Sequence, residues 1–215
     1  MKLQSKTAIF LVGLLFISGG YLMAIEEAKF QILKADDQFE LREYQSYILA
    51  ETIVPGELEE ASNQAFGRLF NYISGANQSQ TKVTMTAPVS QESAGEKISM
   101  TTPVSQERMN NAWAVSFMMP AHFTESTIPT PDDPRVHIRP VPERKMAVIR
   151  YSGRWTNMQY LKHKALLEEW IQSEGLMVEG EAIWARFNAP FMPWFLKRNE
   201  IQIPVIDPNN PEVKS

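Results

Sequence analysis

The chain has 215 residues, a net charge of −4 and no cysteine, with 44% hydrophobic and 21% charged residues, which is a globular composition. Disulfides, zinc–thiolate sites and a cysteine nucleophile are therefore excluded. No run of lysine and arginine is long enough to follow a phosphate backbone, so nucleic-acid binding is not expected, and the three histidines show no metal-ligand spacing.

Residues 1–25 differ from the rest of the chain. Lys2 and Lys6 precede an apolar run at positions 8–17, and small residues follow toward Ala24. A positive start with about 10 apolar residues is typical of an export signal, while about 18 mostly apolar residues suffice for a short membrane span. We predict a signal peptide or an uncleaved N-terminal membrane anchor, with a buried helix as the alternative. The protein is then exported, and is either periplasmic or anchored in the inner membrane facing away from the cytoplasm.

The first half of the remaining chain predicts strands followed by a helix. Alternating apolar residues and β-branched or aromatic side chains predict strands near Phe30–Lys34 and Phe39–Val54, with a turn at residues 36–37. Apolar residues then recur at helical spacing over Glu57–Gly75. The terminal glycine is suited to end that helix.

The second half repeats this order. Val136–Gly153 predicts strand, turn and strand, Thr156–Gly175 predicts a helix, and further strands are expected near Glu181–Phe187 and Glu200–Val205. The intervening Glu125–Arg135 contains three prolines and is predicted to be a connector without regular structure. The fold class is therefore α+β: a pseudo-symmetric, distorted antiparallel β-barrel or sheet flanked by two long helices. It spans residues 28–207, and residues 208–215 form a tail.

A short phrase occurs twice. Met85–Glu92 returns as Met100–Glu107 with few changes, and the sequence SAGE lies between the copies. A turn there predicts a hairpin in which Met85 faces Val104 and Val89 faces Met100. A local duplication without functional meaning is the alternative.

Several of these stretches resemble the SOUL heme-binding protein family. The resemblance extends from about residue 30 to residue 205. It is carried by the doubled MTAPV/MTTPV phrase and by residues 113–123, 136–153 and 185–205. The resemblance implies a distorted antiparallel β-barrel with two helices. It also implies reversible, noncovalent binding of heme or a related tetrapyrrole in an apolar cleft, by a noncatalytic carrier, buffer or sensor.

The resemblance also implies which residues form the cleft. A porphyrin is a flat apolar disc with two carboxylates at one edge, so its site needs apolar walls and few polar anchors. The expected walls are the first helix and the loop before the last strand. The matching residues are Asn63, Phe66, Gly67 and Phe70 on the helix and Phe191, Met192 and Trp194 in the loop. The alternative is that the loop aromatics fill the end of the barrel.

The polar anchors depart from the family pattern. Family members carry basic residues toward the propionates at positions that correspond here to Asn63 and Met192. Arg68 and Arg198 are close in sequence, but Arg198 is better interpreted, with Asn199, as bracing the preceding loop through hydrogen bonds.

The axial ligand is equally open. Some family members have a histidine in the first E-x-R-x-Y strand, where this chain has Glu43. His163, within the apolar arc of the second helix, is the remaining candidate ligand, with a hydrogen-bonded core histidine as the alternative. Met85 and Met100 are thioether candidates, for which core packing is the simpler interpretation.

Two other function classes remain as alternatives. The same architecture could bind an unknown small hydrophobic ligand, as effector-binding domains of bacterial regulators do. A hydrolase would need acids such as Glu43 or Glu181, but the sequence contains no nucleophile elbow or positioned acid–base pair, so no enzyme activity is expected. The expected partners are a tetrapyrrole and, through an uncleaved leader, a membrane, with no nucleic acid.

Overall fold

A computed structural model describes residues 25–56, 58–80, 95–189 and 191–208. Residues 1–24 of the predicted leader, the first copy of the doubled phrase and the tail beyond residue 208 lie outside the described residues. The helices are α1 (Leu58–Ile73) and α2 (Asn157–Ser173), and a short 3-10 helix covers Trp194–Leu196. The strands are β1 (Phe30–Asp36), β2 (Phe39–Tyr44), β3 (Tyr47–Pro55), β4 (Asn77–Gln78), β5 (Val104–Met109), β6 (Ala112–Met118), β7 (Thr130–Pro131), β8 (His137–Val141), β9 (Arg144–Tyr151), β10 (Met177–Val178), β11 (Ile183–Arg186) and β12 (Asn199–Ile206).

The strands form a curled antiparallel sheet with two helices packed on it, which confirms the predicted α+β class. The sheet order is β1-β2-β9-β12-β11-β5-β6-β3-β8, and β10 also pairs with β12. The strand predicted over Phe39–Val54 is broken into β2 and β3, because β2 pairs with β9 whereas β3 lies between β6 and β8. The predicted connector contains β7, which pairs with β4 in a small second sheet, so its prediction as irregular throughout is wrong.

The two halves exchange strands. β3 leads into α1 and β9 leads into α2, as the repeated order predicts. However, β2 of the first half pairs with β9 of the second half, and β8 of the second half pairs with β3 of the first. The exchange joins both halves into one sheet.

One row of side chains crosses the middle of the sheet. Five residues lie directly opposite one another in neighbouring strands. They are Phe117 in β6, Val104 in β5, Arg186 in β11, Asn199 in β12 and Tyr151 in β9. Directly opposite residues of antiparallel strands point to the same face. We call this set the central row.

Both helices lie on the face of the central row. Phe66 of α1 contacts the ring of Phe117 with centroids 5.4 Å apart, and His163 of α2 stacks on Tyr151 at 3.7 Å. α1 packs on β3 and β6, and α2 packs on β9 and β12. Because β5 and β11 lie between these pairs in the sheet, they form the floor between the helices.

The helices are held by buried side chains and by defined ends. Leu69 and Leu167 have no exposed surface, and each lies in an apolar cluster beneath its own helix. Thr156 caps α2 by accepting a hydrogen bond from the backbone N–H of Gln159 at 3.3 Å. Gly75 and Gly175 follow the two helices with φ of 119° and 69°, as predicted, because this region is costly for any residue with a Cβ.

The hairpin predicted from the doubled phrase is not formed at its described arm. Residues 95–100 contain no strand, and β5 begins at Val104. Val104 pairs with Phe117 on one side and with Arg186 on the other. Both edges of β5 are therefore occupied, and the predicted pairing of Val104 with Met85 is wrong. Within the described ranges, no helix has the length and apolar character required to cross a bilayer.

Candidate functional site

The predicted helix residues form one exposed stripe on α1. Asn63, Phe66, Gly67 and Phe70 are spaced so that they share a helix face. Phe66 is 39% and Phe70 46% exposed, and their rings lie nearly parallel with centroids 6.0 Å apart and an interplanar angle of 12°. We call these four residues the α1 stripe. Its two stacked rings give the surface of α1 a flat apolar area.

Gly67 has no side chain, so the helix backbone is uncovered at the centre of the α1 stripe. A Cβ atom at this position would meet no described atom within 4 Å. Glycine in a helix interior costs about 1 kcal/mol relative to alanine. Packing against the described protein therefore does not explain this glycine, whereas a flat ligand lying against the backbone between Phe66 and Phe70 would.

The loop before β12 is a second exposed apolar surface. Phe191 is 88%, Trp194 53%, Phe195 58% and Leu196 60% exposed. The alternative that these aromatic residues fill the end of the barrel is therefore wrong. Apolar surface concentrated in this way typically marks an interaction site.

The structure does not join the loop to the α1 stripe. No hydrogen bond or aromatic contact among the described residues links Phe191, Met192 or Trp194 to that stripe. Instead, the backbone N–H of Gly153 donates to the Trp194 carbonyl at 3.1 Å, which holds the loop near the segment leading into α2.

His163 lies buried between α2 and the sheet. Its Nδ1 donates to the Gln159 carbonyl at 2.7 Å, and its ring stacks on Tyr151 with an interplanar angle of 9°. Burial lowers the pKa of His163, because desolvation disfavours the charged imidazolium. These contacts are those of a core histidine. Because Nδ1 carries the donated proton, the lone pair on Nε2 is free to bind a metal. Iron ligation by His163 therefore stays a prediction.

The basic residues near the predicted site are used inside the protein. Arg68 Nη1 donates to Thr52 Oγ1 at 3.3 Å. Arg198 Nη1 donates to both carboxylate oxygens of Glu27 at 3.0 Å, and its backbone N–H donates to Asn188 Oδ1 at 2.5 Å. Arg198 therefore braces the loop, as the structural interpretation predicted. Asn199 adds a bond from Nδ2 to the Gly153 carbonyl at 3.3 Å.

Arg186 of the central row is the basic residue that sequence reasoning missed. Its guanidinium lies over the Trp155 ring, 3.1 Å from the centroid, and its Nε is buried without a hydrogen-bond partner. Within the described residues no acid forms an ion pair with it, and burial lowers the pKa of Arg186 to about 9. Arg186 as a whole remains partly exposed to solvent, and its stacking on Trp155 leaves the buried Nε without an acceptor.

Further buried donors lie near Arg186. Trp184 is two residues earlier on the same face of β11, and its ring centroid is 4.8 Å from that of Trp155. Trp155 Nε1 is buried without a hydrogen-bond partner, and the buried Trp184 Nε1 is directed toward Tyr151 Oη. Indole nitrogens and guanidinium groups can only donate. The signal in the sequence was the alternation of Trp184 and Arg186 on one strand.

Comparison with known proteins identifies the family. The SOUL heme-binding protein family matches this chain over residues 25–204. The chain belongs to this family. Heme-binding protein 1 of Xenopus tropicalis is 25% identical over 169 residues, covering 75% of this chain and 84% of that protein.

Solved structures share the fold of this SOUL family member. The C-terminal domain of EcmrR superposes with a TM-score of 0.58 at 11% identity, covering 79% of this chain and 98% of that domain. A structure titled as a hydrolase from Listeria innocua gives 0.52 at 11% identity, covering 81% of this chain and 94% of that one. These similarities concern the fold alone.

The E-x-R-x-Y strand of this SOUL protein builds a buried ion-pair network on the sheet face opposite the helices. Arg42, which is 2% exposed, donates to both oxygens of Glu200 at 2.9 and 3.2 Å, to Tyr44 at 2.9 Å and to Glu40 at 2.5 Å. Alternation places all three strand side chains on that face. The motif therefore has a structural role in this chain.

The residues present fit a tetrapyrrole better than a metal ion. Among the described residues, no group of three His, Asp or Glu side chains could hold a metal. The α1 stripe offers flat apolar contacts, and the Arg186 cluster offers donors for carboxylates. A depression of about 620 Å³ elsewhere has Glu26, Glu27 and Glu125 against a single Lys29 among its charged lining residues, which is unfavourable for an anionic ligand.

Proposed function

We propose that this protein binds heme or a related tetrapyrrole noncovalently against the α1 stripe, and that it acts as a carrier, buffer or sensor rather than as an enzyme. The observation that carries the proposal is the exposed, nearly parallel pair Phe66 and Phe70 on either side of Gly67. Membership of the SOUL heme-binding protein family supports the ligand class.

The exposed rings can supply a useful part of the binding energy. A phenylalanine side chain offers on the order of 200 Å², and the two rings are 39% and 46% exposed. At about 25 cal/mol per Å², covering each ring contributes about 2 kcal/mol. That is about a 30-fold change in affinity per ring, so a single substitution should be measurable.

The proposal also includes the loop, the axial position and the location. Phe191, Met192 and Trp194 supply a second apolar surface for the same ligand, which requires the loop to approach the α1 stripe. Heme when bound supplies an iron that accepts an imidazole, and His163 is the candidate through Nε2. Residues 1–25 direct the protein out of the cytoplasm as a signal peptide or membrane anchor.

Hemin titration of the full-length protein, followed at the Soret band, tests the ligand. We expect saturable one-to-one binding that weakens about 10- to 30-fold with Phe66→Ala and detectably with Trp194→Ala. Leu161→Ala is the matched control, because Leu161 is 54% exposed on α2. This control should leave the affinity unchanged.

Gly67→Ala separates binding from stability. Alanine should stabilise α1 by up to about 1 kcal/mol while weakening hemin binding, because the new methyl group would hold a flat ring away from the backbone. A ligand that avoids α1 would leave the affinity of this variant unchanged.

Other outcomes of the titration point elsewhere. Diffuse, nonsaturating absorbance with the wild-type protein would contradict heme binding and favour a module for another small hydrophobic ligand. His163→Ala tests ligation separately: an unchanged Soret position would exclude His163 as the axial ligand.

A further inference from the structure

We propose that Arg186 is the anchor for a ligand carboxylate on the floor between α1 and α2. The assignment rests on the proposed function for the identity of the ligand, a flat apolar molecule that carries an acid group. It rests on the structure for the position of the anchor.

The first argument is that the buried polar atoms around Arg186 that lack a partner are hydrogen-bond donors. Arg186 Nε and Trp155 Nε1 are buried without partners, whereas the buried Trp184 Nε1 is directed toward Tyr151 Oη. Arg186 Nε and Trp155 Nε1 can only donate, and the Tyr151 hydroxyl can still donate its own proton. Buried donors are almost always satisfied in folded proteins. A group that has only acceptors, such as a carboxylate, complements this set.

The second argument is the position of Arg186 in the central row. Arg186 is paired with Val104, which is paired with Phe117, the ring on which Phe66 of the α1 stripe packs. Neighbouring strands are about 4.8 Å apart, so Arg186 and Phe117 are about 10 Å apart across the floor. A ligand lying against α1 could therefore place an acid group at Arg186 while its apolar part remains at the helix.

The third argument is that other candidate anchors are already neutralised. Arg198 is paired with Glu27 and Glu200, and Arg42 with Glu40 and Glu200. Arg186 has no acidic partner in the described part of the chain, and it remains partly exposed to solvent. A guanidinium can bind a carboxylate through two parallel N–H···O bonds.

The competing explanation is that Arg186 serves only to pack against Trp155. In that case Arg186→Met should destabilise the ligand-free protein, because the cation–π contact is lost. If Arg186 is instead an unsatisfied anchor, the same substitution should leave the denaturation midpoint unchanged or raised, because a partly buried charge without an acidic partner is removed.

The test compares carboxylate and neutral probes with the same ring system. In the full-length protein, binding of hemin and of hemin dimethyl ester is followed at the Soret band, and binding of 1-pyrenebutyrate and 1-pyrenebutanol by quenching of tryptophan emission. We expect Arg186→Met to weaken both carboxylates about 10- to 100-fold and both neutral probes less than about twofold. Arg186→Lys should restore part of the affinity.

Arg108→Met is the matched control. Arg108 also faces a tryptophan, with its Cζ 5.7 Å from the Trp113 ring, but it is exposed. This variant should bind all four probes as the wild type does.

The outcomes separate the two proposals. Arg186-dependent binding of pyrenebutyrate without saturable hemin binding would support the anchor and overturn the heme assignment. If hemin binds saturably and Arg186→Met does not change its affinity, the anchor proposal is overturned and the heme assignment is retained. Absence of an Arg186-dependent preference for pyrenebutyrate over pyrenebutanol would overturn the anchor whatever the hemin result.

Discussion

Replacing Glu200 by glutamine should destabilise the protein strongly, although the substitution is nearly isosteric. The Glu200 side chain has no exposed surface and accepts two bonds from Arg42, one from Arg198 Nε at 3.0 Å and one from Gln202 at 2.8 Å. Glutamine removes the charge and turns an NH₂ group toward donors. The positive charge of Arg42, which is 2% exposed, is then balanced only in part.

The size of the effect follows from burial. Breaking a buried ion pair by removing one partner costs about 3–5 kcal/mol, since the remaining charge stays buried. Arg42 retains Glu40 at 2.5 Å, and the Glu40 side chain is 21% exposed. We therefore expect the lower end, about 3 kcal/mol, which corresponds to a fall in Tm of roughly 6–12 °C for a domain of this size.

Urea denaturation at neutral pH measures the change in the free energy of unfolding. Glu168→Gln is the matched control, because Glu168 is 47% exposed and pairs with Lys164 on the surface of α2. The free energy of unfolding of this control should fall by less than about 0.5 kcal/mol. If Glu200→Gln lost no more than this control, the buried network would not be the stabilising feature that its geometry indicates.

The pH dependence gives a second test of the same network. Burial acts to raise the pKa of the Glu200 carboxyl, but Arg42, Arg198 and Gln202 outweigh it and hold the pKa below its ordinary value of 4.5. A lowered carboxyl pKa contributes stability that is complete above the unfolded pKa and is lost as the pH falls through the folded pKa. The stability difference between wild type and Glu200→Gln should therefore shrink below about pH 4.5. A difference that stayed constant to pH 2 would contradict the shift.

Three further substitutions test the packing and the ends of the helices. Leu69→Ala removes a side chain with no exposed surface beneath α1 and should cost about 2–5 kcal/mol in urea denaturation; a smaller loss would mean that the helix is loosely packed. Thr156→Ala removes the cap of α2 and should cost about 1 kcal/mol, whereas Thr156→Ser should cost little. Tyr72→Phe deletes the bond to the Pro129 carbonyl at 2.8 Å and should cost about 0.5–1.5 kcal/mol, unless water replaces the lost partner.

Local patterns predicted the elements well where one physical signal was strong. Both helices were found from apolar periodicity and terminal glycines, and the turn after β1 from paired aspartates, where Asp37 has φ of 54°. These signals act over a few residues, so neighbouring sequence is sufficient to reveal them. The doubled phrase failed because repetition carries no information about which edge of a strand is free.

Which strands pair was decided over longer distances. The exchange of β2 and β8 between the halves depends on competition among strands of similar composition, and strand composition does not specify a partner. For the same reason Phe39–Val54 looked like one strand: its alternation continues through the point at which the chain crosses from one position in the sheet to another.

The sequence by itself predicted the fold class, and the family resemblance that it carries implied the residues of the α1 stripe, which helical spacing places on one face. The tertiary structure decided which charges are neutralised. Arg42 finds the buried Glu200 and Arg198 the half-buried Glu27 far away in the chain, whereas among the described residues Arg186 finds no acid and stacks on the face of an indole. Charge compensation depends on three-dimensional neighbours, and a linear pattern of arginines cannot show which of them still requires a partner.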